Sequence, residues 1–382
     1  MERMENTSSI TVTKRKTDEE LRKVKRSAMG DITNVSQESR MDEGKDLSVD
    51  VPQYSKDYMY LEDDRDNSTS TVQNITHNLG NSSSSHDISE EMIVDTIRIS
   101  TRPTPPDYIE DFDLEIMGDP QQHSEYAMET FQYYKNREAV FRVPNYMDTQ
   151  PSINEAMRSI LVNRLCEFQE NFRLKHETLY AAVKMTDLYC SRTEVKKQVY
   201  QLVATTACMI ACKFDERKPR PLEDFLDVCD GAYTLDQILR MERKMLFVLG
   251  CDLGFPLSYK FLRRYGRVCG VTMPVLTLAR YILELSLLEY SFNVEVRESE
   301  LAAAALILAL KIENIEGWAP TLKYYTGLNF IRVDVILQQF LQMLQREHRS
   351  YQCTVKLKYS HKRFFEVVHT PIPAYVTLTA DG

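Results

Sequence analysis

Residues 1 to about 110 of this 382-residue chain contain no cysteine and no tryptophan. They are dominated by Ser, Thr, Asn, Asp, Glu, Lys and Arg, with "NSSSS" at 81–85 and "RPTPPD" at 102–107. A segment with so little apolar surface cannot offset the entropy lost on ordering, and the expectation is a disordered arm over 1–117. Also missing are a CxxC pair and a signal peptide, although eight cysteines lie between Cys166 and Cys353. With the core reading of the cysteines, the expected compartment is a reducing one. Cys208 and Cys212 share a helix face, and such cysteines belong in a core rather than in metal or redox chemistry. The longest apolar run, "LAAAALILAL" at 301–310, stops at Lys311 and is too short to cross a bilayer. No GxGxxG, GxxxxGK[ST], HExxH or GxSxG occurs, and the seven histidines are scattered. No catalytic residue, cofactor or metal is therefore expected. His176, at a predicted helix start, reads as a cap or surface residue.

The net charge of −9 lacks the broad basic face of a nucleic-acid binder. Within the arm, "KRK" at 14–16 and "RKVKR" at 22–26 have the form of a nuclear import signal.

From about residue 118 the chain turns to long apolar patterns of helical period. "PSINEAMRSILVNRLCEFQENF" begins with Ser152 and Glu155 in capping-box spacing. "TLDQILRMERKMLFVLG" pairs Thr234 with Gln237 in the same way, and Gly250 is placed to end that helix. The one weak strand pattern is "QCTVKLKYS" at 352–360. "LVATTACMIACKF" (202–214) laid beneath "ELAAAALILALKI" (300–312) matches Ala204, Ala207, Ala211 and Lys213 to Ala302, Ala305, Ala309 and Lys311. Small residues on several sides of a helix let neighbours approach closely, so each segment predicts the central helix of a bundle. Two such helices predict two similar helical domains in tandem.

These segments resemble the cyclins. "MRSILVNRLCEFQENFRLKHETLYAAVKMTDLY", "QLVATTACMIACKFDERKPRPLEDFLDVCDGAYTLDQILRMERKML" and "FPLSYKFLRRY" are similar to signatures of that family, and "EYAMETFQYYKNRE" (125–138) is similar to the extra helix that precedes the first box in its mitotic members, the whole resembling the B-type group. The resemblance spans about 118–370. It implies an all-α fold of two five-helix cyclin boxes preceded by one helix and the arm, with boundaries at 118–250, 251–350 and a tail at 351–382. It further implies no enzyme, but a regulatory subunit that binds and activates a cyclin-dependent kinase by pushing the kinase's regulatory helix inward.

The resemblance also implies roles. Lys213 and Glu242 correspond to the pair that grips the kinase helix, with Phe214 as an apolar anchor and Tyr126 and Tyr133 as further kinase-facing residues. Arg158 and Asp187 correspond to an internal ion pair beside that site. Met157, Leu161, Glu167 and Gln201 correspond to a groove that docks Arg-x-Leu peptides of kinase substrates. Here the chain departs from its family: "MRSILVNRL" stands where cyclins usually read "MRAILVDWL". Arg164 replaces an aromatic wall with a cation, and weak or altered docking is expected.

In the arm, "RSAMGDITN" resembles the destruction box of mitotic cyclins, through Arg26, Met29, Ile32 and Asn34. This implies recognition by the ubiquitin ligase of late mitosis, with Lys14, Lys16, Lys23, Lys25 and Lys45 as nearby acceptors. Met29 stands in place of Leu, and its adaptable thioether still suits an apolar pocket. The leading alternative is a cyclin-fold scaffold that activates no kinase. A DNA-binding use of the fold, which wants a basic face, and an unrelated helical enzyme are weaker readings.

Overall fold

The computed structural model describes residues 104–117, 124–346 and 353–377. Among them are fourteen α-helices and no strand. A one-turn helix α1 (Phe112–Glu115) and α2 (Ala127–Glu138) come first. A first set of five follows: α3 (Glu155–Phe172), α4 (His176–Arg192), α5 (Lys197–Asp215), α6 (Leu222–Val228) and α7 (Leu235–Leu249). The second set is α8 (Ser258–Val268), α9 (Met273–Ser286), then, past the one-turn α10 (Tyr290–Asn293), α11 (Glu298–Ile312), α12 (Ala319–Thr326) and α13 (Phe330–Gln345). A short α14 (Thr354–Tyr359) opens the tail.

The small-residue segments do form the two central helices. On α5 every residue from Leu202 to Cys212 is buried, and on α11 every residue from Ser299 to Leu310. α5 packs against α3, α4, α6 and α7, and α11 against α8, α9 and α13. Alanine at Ala302, Ala303, Ala304 and Ala305, all fully buried, leaves room for these neighbours. Six of the eight cysteines are buried as expected, but Cys251 is exposed and Cys269 half-buried.

Helix ends follow local chemistry. Thr234 and Gln237 form the expected reciprocal cap of α7, and Gly250 ends it in the left-handed region at φ 69°. The cap expected at Ser152 is supplied instead by Asn154, whose side chain accepts from the Met157 amide at 2.9 Å. The weak strand at 352–360 is the helix α14. Its buried residues Val355, Lys358 and Tyr359 sit at helical, not alternating, spacing.

The arm boundary at 117 also needs correction, because residues 104–117 include ordered, packed structure. Asp113 is fully buried and meets Arg264 of α8 with both carboxylate oxygens, at 2.5 and 2.6 Å. Ile109 packs with Val268 and Tyr325 of the second set.

Two buried polar networks join the helix sets. Arg158 on α3 forms a two-point pair with Asp187 on α4, at 2.8 and 2.7 Å, and donates to the Leu287 carbonyl after α9 at 2.9 Å. The Tyr146 hydroxyl donates to the same aspartate at 2.8 Å. In the second network Glu284 on α9, fully buried, accepts from Lys358 Nζ at 2.7 and 3.0 Å and from the Tyr359 hydroxyl at 2.8 Å. Lys358 also donates to Gln169 of α3 at 2.8 Å, and His176 Nδ1 lies 3.1 Å from Glu284. His176 is thus neither a surface residue nor a side-chain cap. Burial and the Lys358 charge bring its pKa down to about 3, so it is neutral here. Burial raises the pKa of Glu284, but Lys358 and His176 reverse the effect and hold it ionised.

Lys358→Ala is expected to lower stability by about 3 kcal/mol or more, because it strands a buried carboxylate. The double replacement Lys358→Met/Glu284→Leu is expected to recover most of that loss. Urea unfolding checks both, and a single-variant loss below about 1 kcal/mol, the scale of a surface pair, would contradict the assignment.

Candidate functional site

Lys213 lies in the last turn of α5 and Glu242 in the middle of α7, and these helices pack together. The end of α5 is tied down from below. Glu216, just past it, accepts from the Lys175 amide and the Thr178 hydroxyl, both at 2.7 Å, and so satisfies the start of α4. Lys213 Nζ donates to Glu242 Oε1 at 2.6 Å. The Lys213 side chain is 48% exposed and that of Glu242 16%. A pair this open contributes little to stability. A partner can therefore part it at small cost, offering carbonyls to the ammonium and amides to the carboxylate. Phe214 stands next to it, 56% exposed. A large apolar side chain beside polar contacts is the anatomy of an energetic centre in an interface.

Behind this surface lies the Arg158–Asp187 pair, with both side chains essentially buried. Burial disfavours the charge on Arg158, yet Asp187 more than offsets this and holds its pKa above the ordinary value. Such a pair orients helices more than it stabilises them.

Tyr126 and Tyr133 are both about half exposed, seven residues apart at the start and middle of α2. Their helix is fixed to the second helix set. Phe131 and Tyr134 pack on Phe261, Lys135 donates to the Thr326 carbonyl, and Arg137 pairs with Asp252 at 2.7 Å. Glu138, buried, accepts from the Ser299 amide at 2.5 Å and its hydroxyl at 2.9 Å, at the first turn of α11. Sequence reasoning missed Glu138, and nothing in a lone Glu near a helix end signals it.

The docking-groove residues divide. Met157 is half-buried on α3, and Gln201 is half-buried on α5 with its Nε2 enclosed and without a partner. Glu167 accepts from Arg164 Nη1 at 2.6 Å. Leu161 packs into the core at 4% exposure. The exposed apolar residue on that face is Ile160, at 41%. The Arg26, Met29, Ile32 and Asn34 motif lies outside the described residues. Among the described residues no cluster of His, Cys, Asp and Glu is arranged to hold a metal ion, and no helix is long and apolar enough to cross a membrane.

Two tandem helix sets with an open Lys–Glu pair on the first define a cyclin-type binding fold, and comparison with known families agrees. The profile "Cyclin, N-terminal domain" matches residues 129–254, and "Cyclin, C-terminal domain" matches residues 256–373. The chain belongs to the cyclin family. Within it, the chain is similar to mitotic cyclins of the B3 type. It is 48% identical to the G2/mitotic-specific cyclin-B3 of Drosophila melanogaster over 71% of this chain and 48% of that one. The cyclin-B3 of Caenorhabditis elegans is 41% identical over 69% of each chain. The match thus spans about half the length of the fly protein. A viral cyclin from herpesvirus saimiri shares the fold, with a TM-score of 0.50 at 16% identity, over 56% of this chain and 96% of that one.

Glu138 generates a pH prediction. Burial pushes its pKa up from 4.5 to about 7, against the hydrogen bonds from Ser299. A folded value above the unfolded one stabilises fully below pH about 4.5 and is lost as pH rises through about 7. Glu138→Gln, a neutral mimic of the acid, is expected to remove this slope. The stability difference between parent and variant, from urea unfolding at pH 5 and pH 8, should shift toward the variant at pH 8. Equal differences at both would contradict it.

Proposed function

We propose that the chain is the activating subunit of a cyclin-dependent serine/threonine kinase in mitotic or meiotic progression. The observation that carries this reading is the Lys213–Glu242 pair, solvent-open beside exposed Phe214 on a cyclin fold. The pair grips one end of the kinase's regulatory helix, Phe214 anchors it, and Tyr126 and Tyr133 extend the contact. The chain supplies a shaped surface, and the kinase supplies the chemistry. Nuclear import through the basic clusters at 14–16 and 22–26, and timed destruction through Arg26, Met29, Ile32 and Asn34 by a ubiquitin ligase, complete the proposal. A second reading, a cyclin-fold scaffold without kinase activation, draws its support from Arg164, which alters a surface for substrates.

The test is to mix the chain with a monomeric mitotic cyclin-dependent kinase and follow phosphate transfer to a histone peptide. Parent protein should activate, and Lys213→Ala/Glu242→Ala should weaken activation about 30-fold or more, the effect of truncating hydrogen-bonded interfacial charges. No activation by the parent would favour the scaffold.

For docking, a fluorescent Arg-x-Leu peptide is expected to bind the parent about tenfold or more weaker than it binds Arg164→Trp, which restores an aromatic anchor. Equal affinities would overturn that expectation.

A further inference from the structure

Helix α7 turns Ile238, Met245 and Leu249 into the core, and its outer side carries charge of one sign. Arg240, Arg243 and Lys244 stand there, and Arg192, the last residue of α4, reaches the helix end. Three of these cations have a role in the fold. Arg240 pairs with Asp236, one turn before it. Arg192 donates to the Val248 carbonyl at 3.0 Å, where a cation complements the C-terminal end of the helix. The Lys244 ammonium lies 5.9 Å from the centre of the Tyr189 ring on α4.

Two side chains have no such role. Arg243 is exposed and meets no carboxylate, carbonyl or ring among the described residues. Phe247 is 85% exposed, the most of any large apolar side chain among them. Arg243 and Phe247 are four residues apart, so they are neighbours on the helix surface, and Lys244 and Arg240 continue the same stripe.

The charge of this stripe is unbalanced. α7 has two carboxylates, Asp236 and Glu242. Arg240 already engages the first, and the second lies on another flank with Lys213. The cations are therefore concentrated on one helix of a chain whose net charge is −9.

We propose that the outer side of α7 is a docking surface for an acidic peptide segment of a partner protein that carries one large apolar side chain. The apolar side chain covers Phe247. Flanking carboxylates meet Arg243 and the remaining donors of the Arg240 guanidinium, which has five in a fork. Charge complementarity sets the sign of the ligand, and the uncovered phenyl ring sets its apolar part. From Arg240 to Phe247 the helix rises about 10 Å, the length of a few extended residues. The chain's net negative charge works against a nucleic acid. Phe247 stands about 140° round the helix from Glu242, so the surface is separate from the Lys213–Glu242 pair.

The test titrates the full chain into fluorescein-labelled Glu-Glu-Leu-Glu-Glu and two analogues, one with every Glu replaced by Gln and one with Leu replaced by Ser. The first peptide should bind at least about tenfold tighter than either analogue. Phe247→Ser and Arg243→Glu should each weaken it about tenfold, with helical circular dichroism unchanged because both side chains are exposed. Adding a saturating mitotic cyclin-dependent kinase should leave its affinity as it was. No binding of the acidic peptide, equal binding of an analogue, or undiminished binding by either variant would overturn the proposal. So would displacement of the peptide by the kinase, which would make the stripe part of the kinase interface. A short DNA duplex is titrated alongside, and tighter binding of DNA than of peptide, lost in both variants, would assign the surface to nucleic acid instead. The titration of the free chain needs no kinase, so failure of the kinase reading and failure of this one are told apart.

Discussion

Glu284 carries its charge where no water reaches, and four helices are arranged by the way that charge is met. Its oxygens draw Lys358 and Tyr359 in from α14, while His176 at the start of α4 closes on the same carboxylate. Lys358 then reaches Gln169 on α3. An ion in a low-dielectric interior is tolerated only with such partners, and removing one exposes the others to the full desolvation penalty. First helix set, second set and tail are thereby locked to one geometry. Arg158 repeats the device through Asp187 and the Leu287 carbonyl.

This has a consequence for binding. A surface that positions another protein's helix must not yield when it binds. The Lys213–Glu242 pair is itself open and weak, which makes it easy to part, but the helices beneath it are fixed by buried contacts. Weak outer contacts on a firm base let a partner exchange one ionic bond for others without remodelling the fold. α2 follows the same logic. Its exposed tyrosines ride on a helix that Glu138, Arg137 and Phe131 fasten to the second set and the segment leading to it.

Much of the fold was legible because it rests on local rules. The duplication of α5 and α11, the cap at Thr234 and the stop at Gly250 each depend on neighbours in sequence. The roles proposed for Lys213, Glu242 and Phe214 come from resemblance; the structure adds that the pair is hydrogen-bonded beside an exposed phenylalanine. What escaped depends on distance or on direction. Lys358 and Glu284 are 74 residues apart, and each reads alone as an ordinary surface charge. His176 looked like a cap or surface residue because the groups that enclose it come from other helices. Leu161 and Ile160 sit side by side on α3, and the sequence period does not say which of them faces inward; packing assigns Leu161 to the core. Residues 104–117 are polar enough to read as arm, yet Asp113 is drawn inside by Arg264.

Native-state hydrogen exchange, on the free chain and again with kinase added, tests whether the proposed gripping surface is built before any partner binds. The account predicts that amides in the middle of α5 and α7 are already strongly protected in the free chain. Kinase should add protection only near Lys213, Phe214 and the exposed turns of α2. Weak protection of α5 and α7 that rises throughout on binding would mean that the kinase orders the surface, and would contradict the account.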